Sequence, residues 1–209
     1  MRPPYQTYRP LRAGVAIINQ AVDQYGTLGF FGLGGPGEVW LVSCYHVLGR
    51  VDFGSFAPGE RIFQPDYGTM PGPVARMTDG RHSTTLDCAA ARLEPGTVGL
   101  NELLGLGRIN PAPAPATVGM RVCKYGVATE LTEGVITEIA GDNVIVGLSP
   151  GFPENYRLSA TGDSGALWLE QGTLRPVALH KQGAPVGGTE TAVGTAIAAV
   201  LATLDLTLM

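Results

Sequence analysis

Charge is what this sequence has least of. Only 15% of its 209 residues are Asp, Glu, Lys or Arg, and the acids outnumber the bases 18 to 14, leaving a formal net charge of −4. Gripping a phosphate backbone takes a basic field, and no Lys/Arg cluster supplies one locally, so no nucleic-acid partner is expected. Long apolar runs are missing as well. Nothing approaches the roughly 18 uninterrupted apolar residues of a membrane-spanning helix, so no membrane partner is expected either. The opening Met1-Arg2-Pro3-Pro4-Tyr5-Gln6 is Pro-rich and polar, where a secretory leader would place an apolar run of about 7–15 residues behind a basic start. Cysteine is scarce and odd in number. Cys44, Cys88 and Cys123 cannot all pair within the chain, whereas small secreted β domains usually carry several bridges. The three thiols are expected to be reduced and mostly buried, and the protein to be cytoplasmic.

What is present is apolar and heavily punctuated. Hydrophobic residues make up 44% of the chain, enough to bury a core, and 30 Gly with 16 Pro form over a fifth of it. That balance fits many short strands joined by tight turns and excludes a helical bundle. Apolar runs of four to eight residues recur at Gly14–Asn19, Thr27–Gly32, Val39–Cys44, Arg61–Gln64, Val74–Thr78 and Leu86–Leu93. A second set follows at Arg121–Tyr125, Gly134–Ile139, Asn143–Leu148, Ala166–Glu170 and Val177–His180. Between the sets lies Asn110-Pro111-Ala112-Pro113-Ala114-Pro115-Ala116, whose alternating prolines favour an extended connector. The chain therefore divides into 1–109, a connector 110–117, and 118–209. Ala196–Leu204, free of Gly and Pro, predicts a short C-terminal helix. The fold class is all-β.

The string Thr161-Gly162-Asp163-Ser164-Gly165-Ala166 carries the most chemistry. A serine hydroxyl is a weak nucleophile and needs a neighbouring base, plus donors for the oxyanion that develops on attack. Flanking glycines permit a sharp turn that aims the amides of Gly162 and Ser164 into one pocket, each donor contributing about 2.7–4 kcal/mol to the transition state. Taken alone, the string also fits a plain turn between strands.

His46, in Val42-Ser43-Cys44-Tyr45-His46-Val47-Leu48, is one of only three histidines and follows an apolar strand. Asp87 heads the apolar run Leu86-Asp87-Cys88-Ala89-Ala90-Ala91. A carboxylate there is costly to bury unpaired, and an imidazole N–H would pair it while fixing the tautomer of a general base. Asp79 and Asp52 are the alternative partners for His46. Together His46, Asp87 and Ser164 make a candidate catalytic triad that requires no metal and no cofactor.

With Gly162–Gly165, Tyr45–Val47 and Thr85–Ala89, the chain resembles the trypsin-like peptidases of the chymotrypsin superfamily. More narrowly it is similar to bacterial relatives of the peptidase domain of the plant NARROW LEAF 1 protein. That resemblance rests on Gly-Thr-Leu-Gly at Gly26–Gly29, on Leu41–Leu48, and on Val118–Gly134, which reads V-G-x-x-V-x-K-x-G-x-x-T-x-L-T-x-G. It spans the chain from about Arg12 onward. It implies two antiparallel six-stranded barrels, His46 and Asp87 from the first and Ser164 from the second, and a polypeptide substrate. In animal trypsins the acid before the serine, here Asp163, pairs with a new N-terminal amine. No such activation site stands here, so Asp163 needs another partner or is exposed.

The same resemblance places the substrate pocket at Leu158, Ser159 and His180. Leu158 stands where trypsins carry an acid, which argues against an Arg/Lys preference. Ala178-Leu179-His180 resembles the strand by which glutamyl endopeptidases and viral 3C-type proteases contact a Glu or Gln side chain; a strand-capping role is the plainer reading. The function expected is serine endopeptidase. The rivals are a peptide-binding scaffold that keeps the fold, and a protease dedicated to its own chain or one partner.

Overall fold

The computed structural model describes residues 3–49, 59–66, 68, 72–82, 85–153, 155–183 and 190–209, with no side chains described at 80–82. The first half supplies β1 (Leu11–Ala13), β2 (Ala16–Asn19), β3 (Gln24–Thr27), β4 (Phe30–Gly35) and β5 (Glu38–Ser43). A one-turn helix α1 (Tyr45–Leu48) follows, then β6 (Arg61–Phe63), β7 (Ala75–His82), β8 (Asp87–Leu93), β9 (Gly99–Leu103) and β10 (Gly107–Arg108). The second half supplies β11 (Arg121–Gly126), β12 (Glu130–Ala140), β13 (Asn143–Gly147), β14 (Leu167–Glu170), β15 (Pro176–Gly183) and β16 (Thr191–Ala196). The helix α2 (Ile197–Leu204) and a last strand β17 (Thr207–Leu208) complete it. Among the described residues no helix is long and apolar enough to cross a membrane.

One of the two expected barrels is closed. β11-β12-β13-β16-β15-β14 forms a six-stranded ring, while the first half is a curled open sheet of eight strands ordered β17-β4-β5-β8-β7-β6-β2-β3. A small sheet, β1-β9-β10, packs on β4, with Asn101 bonded to Phe31, and with Leu11, Ala13 and Leu103 sharing its core. Of the two barrels expected from the sequence, a second closed one is not shown: the first half is a curled sheet in which β3 and β4 follow one another through Leu28 and Gly29. Thr27 donates its amide to the Ser164 carbonyl (2.8 Å), Leu28 exchanges bonds with Gly14 and Val15 beside β2, and Gly29 donates to Val42 of β5 (2.9 Å). The outer edge of β4 is taken by β17, with Thr207 opposite Leu33. The last strand of the expected second half thus belongs to the first sheet.

Alternation along the strands sets the packing. On β14, Trp168 points into the closed barrel with Val122, Ile136 and Val146, while Leu167 and Leu169 face the other way. On β11, Val122 is inside and Cys123 and Tyr125 are outside. The outward side chains join Phe30, Leu41, Cys44 and Leu48 of the sheet in one continuous core. The two halves are welded through the backs of β11 and β14, which brings the α1 helix opposite the turn that precedes β14. The connector runs along the barrel, with Ala114 donating to Pro176 (2.8 Å) and Arg175 donating to the carbonyls of Ala112 and Pro113.

Candidate active site

His46 sits on α1, which is too short to be stable by itself and is fixed by its surroundings. Tyr45, Val47 and Leu48 are buried. The buried Asn19 side chain donates to the Leu48 carbonyl (2.6 Å) and to Glu60 (2.7 Å). Gly26 has no Cβ because Val47 occupies that space. His46 alone of the four keeps solvent contact, its side chain 25% exposed.

Asp87, at the start of β8, is 5% exposed. Its carboxylate accepts from His46 Nδ1 at 2.5 Å and from the His46 amide at 3.2 Å. The partner of His46 is therefore Asp87 and not Asp79, while Asp52 lies outside the described residues. With Nδ1 committed to the carboxylate, Nε2 is the nitrogen left to exchange a proton.

The turn at 161–166 brings Ser164 to the same cleft. Gly162 has φ +107, a conformation closed to ordinary side chains. A side chain at Gly165 (φ +92) would collide with Ser43 Oγ and the Thr27 carbonyl. Thr27 grips the turn twice, by its amide to the Ser164 carbonyl and by its hydroxyl to the Gly162 carbonyl (2.8 Å). Among the described residues the amides of Gly162 and Ser164 have no acceptor, whereas those of Asp163 and Gly165 bond to Ala160 and His180. The Ser164 hydroxyl donates to the Lys181 carbonyl at 3.2 Å, and no hydrogen bond joins it to His46.

Asp163 has found its partner. It is fully buried, and its carboxylate accepts from Lys124 Nζ (2.9 Å), the Thr129 hydroxyl (2.6 Å) and the amides of Ala128, Thr129 and Ala160. Burial by itself would raise this carboxyl; the Lys124 charge and the Thr129 bond outweigh it and hold it below its ordinary value. Burial pulls the Lys124 ammonium down, and Asp163 offsets part of that. Gly126 lacks a Cβ where the Asp163 carboxylate passes. The Lys-x-Gly-x-x-Thr core of the Val118–Gly134 motif is thus the cradle of Asp163. Sequence reasoning quoted the motif without seeing its task. The signal was there in an acid of unassigned partner and a lysine inside an apolar strand.

The pocket residues are placed as follows. Leu158 is fully buried in the barrel core. Ser159 lies next to Gly183, whose missing Cβ would stand 2.8 Å from its hydroxyl. His180, 1% exposed, has the Trp168 ring edge-on at 6.0 Å. Among the described residues, neither Ser159 Oγ nor His180 Nδ1, both buried, has a hydrogen-bond partner. Burial first, then the Lys124 charge, push the His180 imidazolium down to about 3, so the ring is neutral at ordinary pH.

Cys44, Cys88 and Cys123 are unpaired and buried, as expected of reduced thiols. Cys44 Sγ, a His46 ring nitrogen and an Asp87 oxygen lie within 4.8 Å of one another, a donor set that a metal could use. The Cys44 thiol, however, is raised well above its ordinary value by burial and then by Asp87, and it donates to the His180 carbonyl at 3.1 Å.

No family model and no curated protein sequence matches the chain. Solved structures do. A glutamic-acid-specific serine protease, described as using a histidine triad in substrate binding, superposes with TM-score 0.70 at 18% identity, covering 95% of this chain and 100% of that one. Thermobifida fusca Protease A gives 0.69 at 14% identity, over 97% and 99% of the two chains. Cellulomonas bogoriensis chymotrypsin gives 0.67 at 18%, also over 97% and 99%. The fold is that of the chymotrypsin-like serine proteases.

Proposed function

We propose that the chain is a serine endopeptidase in which Ser164 is the nucleophile, His46 the general base and Asp87 the orienting acid. The observation that carries this reading is the pair of unaccepted amides at Gly162 and Ser164, held in place by a buried carboxylate with five donors. A protein that only binds has no use for two empty amides fixed at that cost. In the reaction, Ser164 Oγ bonds to the substrate carbonyl carbon as its proton passes to His46 Nε2. The carbonyl oxygen, now negative, accepts from the two amides. His46 then returns the proton to the leaving nitrogen, the C–N bond breaks, and water repeats the cycle on the acyl-enzyme.

A Glu or Gln preference is the finer part of the proposal. Ser159 Oγ and His180 Nδ1 are polar atoms that burial has left unsatisfied, a state costing about 1–3 kcal/mol each unless a ligand relieves it. A substrate carboxylate or carboxamide would do so. The histidine triad described for the glutamic-acid-specific neighbour has no full counterpart here: of the three histidines, His46 serves Asp87 and His82 stands on β7. His180 works with Trp168 at its ring instead. Kinship with bacterial NARROW LEAF 1-like proteins belongs to the same proposal, supported by the role of Lys124, Gly126 and Thr129 around Asp163.

The Ser164 hydroxyl, turned to Lys181, favours a form in which substrate or a dedicated partner completes the triad. A fluorophosphonate probe tests the whole reading. The wild type should be labelled at Ser164, and Ser164→Ala should lose labelling together with peptide cleavage, the latter by about 10⁶. Labelling that appears only when peptide is present would mark the triggered form. Cleavage that persists in Ser164→Ala would sink the assignment.

A further inference from the structure

Tyr5 is a large aromatic left 49% exposed, yet the segment bearing it is tightly fastened. Pro4 accepts from Ala16 (3.0 Å). The buried Gln64 side chain donates to Gln6 (2.8 Å) and accepts from the Tyr8 amide (3.0 Å) and Arg9 (2.7 Å). The Tyr5 ring meets that of Tyr25 edge-to-face, centroids 5.7 Å apart and planes at 80°. A fastened backbone that presents two packed but accessible rings is a preorganised surface.

Its position follows from β3. Residues 25 and 27 point to the same side of the strand, about 7 Å apart. Thr27 directs its hydroxyl at the Gly162 carbonyl and its amide at the Ser164 carbonyl. The Tyr25 ring, and Tyr5 upon it, therefore flank the nucleophile turn about two residues of extended peptide away. The Tyr5 phenol is raised by burial and then by the Asp163 charge, in keeping with that proximity. The pocket residues His180 and Ser159, with Gly183, lie on the opposite flank, where β15 receives the Ser164 hydroxyl.

We infer that Tyr5 and Tyr25 form an aromatic subsite for the portion of a peptide substrate that departs on cleavage, favouring apolar or aromatic side chains there. The inference rests on the peptidase reading, which places the acyl portion over β15 and leaves the β3 flank to the departing portion. The subsite adds binding for long substrates and nothing for those that end at the cleaved bond.

Two substrates with the same acyl portion distinguish the outcomes. One carries an aminocoumarin leaving group, and the other continues for several residues with Phe second after the cut. Tyr5→Ala should lower kcat/KM on the long peptide by about three- to tenfold, the scale of one aromatic contact. The coumarin substrate and fluorophosphonate labelling should be unchanged, and Tyr5→Phe should restore the long-peptide rate. Equal losses on both substrates, or no loss on either, would overturn the subsite while leaving the peptidase reading intact. A wild type that neither labels nor cleaves would sink the peptidase reading, and the subsite with it.

Discussion

On the barrel side of the cleft, the Ser164 turn is tied down by Thr27, by a glycine packed against Ser43, and by a buried ion pair with three amide donors. On the sheet side, His46 rides a single helical turn and its ring is held by one carboxylate. The difference maps onto the chemistry proposed for each side. Donors to a developing oxyanion act best when they need no rearrangement. A base must instead face first the serine and then the leaving nitrogen, so one oriented hydrogen bond serves it better than a cage. The more numerous ties stand where the proposed oxyanion would form, and a single oriented bond to the ring stands where the proton would move.

After Ser164→Ala itself, the largest effect is expected on the sheet side. Asp87→Asn replaces the carboxylate that, among the described residues, accepts from His46 Nδ1 by an amide that can favour the wrong tautomer, and turnover should fall by about 10⁴ at neutral pH while the fold persists. Steady-state rates with a circular dichroism control would check this, and a near-normal rate would show that another acid orients the base. Lys124→Met attacks the rigid side. It leaves the Asp163 charge buried and unpaired, so denaturant unfolding should show a loss of about 3–5 kcal/mol. The residual activity should drop by about 10²–10³ as the two amides lose their setting. The sign with pH is fixed as well. The folded Asp163 carboxyl lies below its ordinary 3.8, so its stabilisation is complete above that value and is lost as pH falls through the lower folded one. An acid-unfolding step present in the wild type and missing from Lys124→Met would sharpen the contrast between the two sides.

The smallest effect concerns selectivity. His180 is neutral in the free protein, and a bound Glu carboxylate favours its protonated form. Glu cleavage relative to Gln cleavage should therefore decline as pH rises from the free ring's value of about 3 through the higher value it takes in the complex. His180→Ala should flatten that ratio without abolishing turnover. A preference for Lys, Arg or large apolar residues in a peptide-library profile would leave His180 a structural residue.

The strands with continuous apolar runs, such as β5, β8, β11 and β14, were legible because burial on both faces writes itself into composition. β3, β9 and β16 were not. They are short, interrupted by glycine and half polar, so their pairing depends on distant partners. Gly26 shows why: it reads as a breaker, yet the structure uses it to let Val47 approach. The curled open sheet was illegible for the same reason, since Thr27 and β17 act across more than a hundred residues. The residues of the proposed triad could be read as types in an order. The cradle of Asp163 could not, because Lys124 and Asp163 meet only when β11 closes against the turn.

The strand β17 carries a consequence for biosynthesis. The sheet bearing His46 and Asp87 is finished by residues 207–208, with Asn101 tying both Phe31 and Met209. A chain emerging from the ribosome builds in one direction, so the half made first waits, with one edge bare, for residues made after Ser164. His46 and Asp87 receive their finished support only once Ser164 is already in the chain, and a nascent chain stalled before residue 207 would carry all three residues on an unfinished frame.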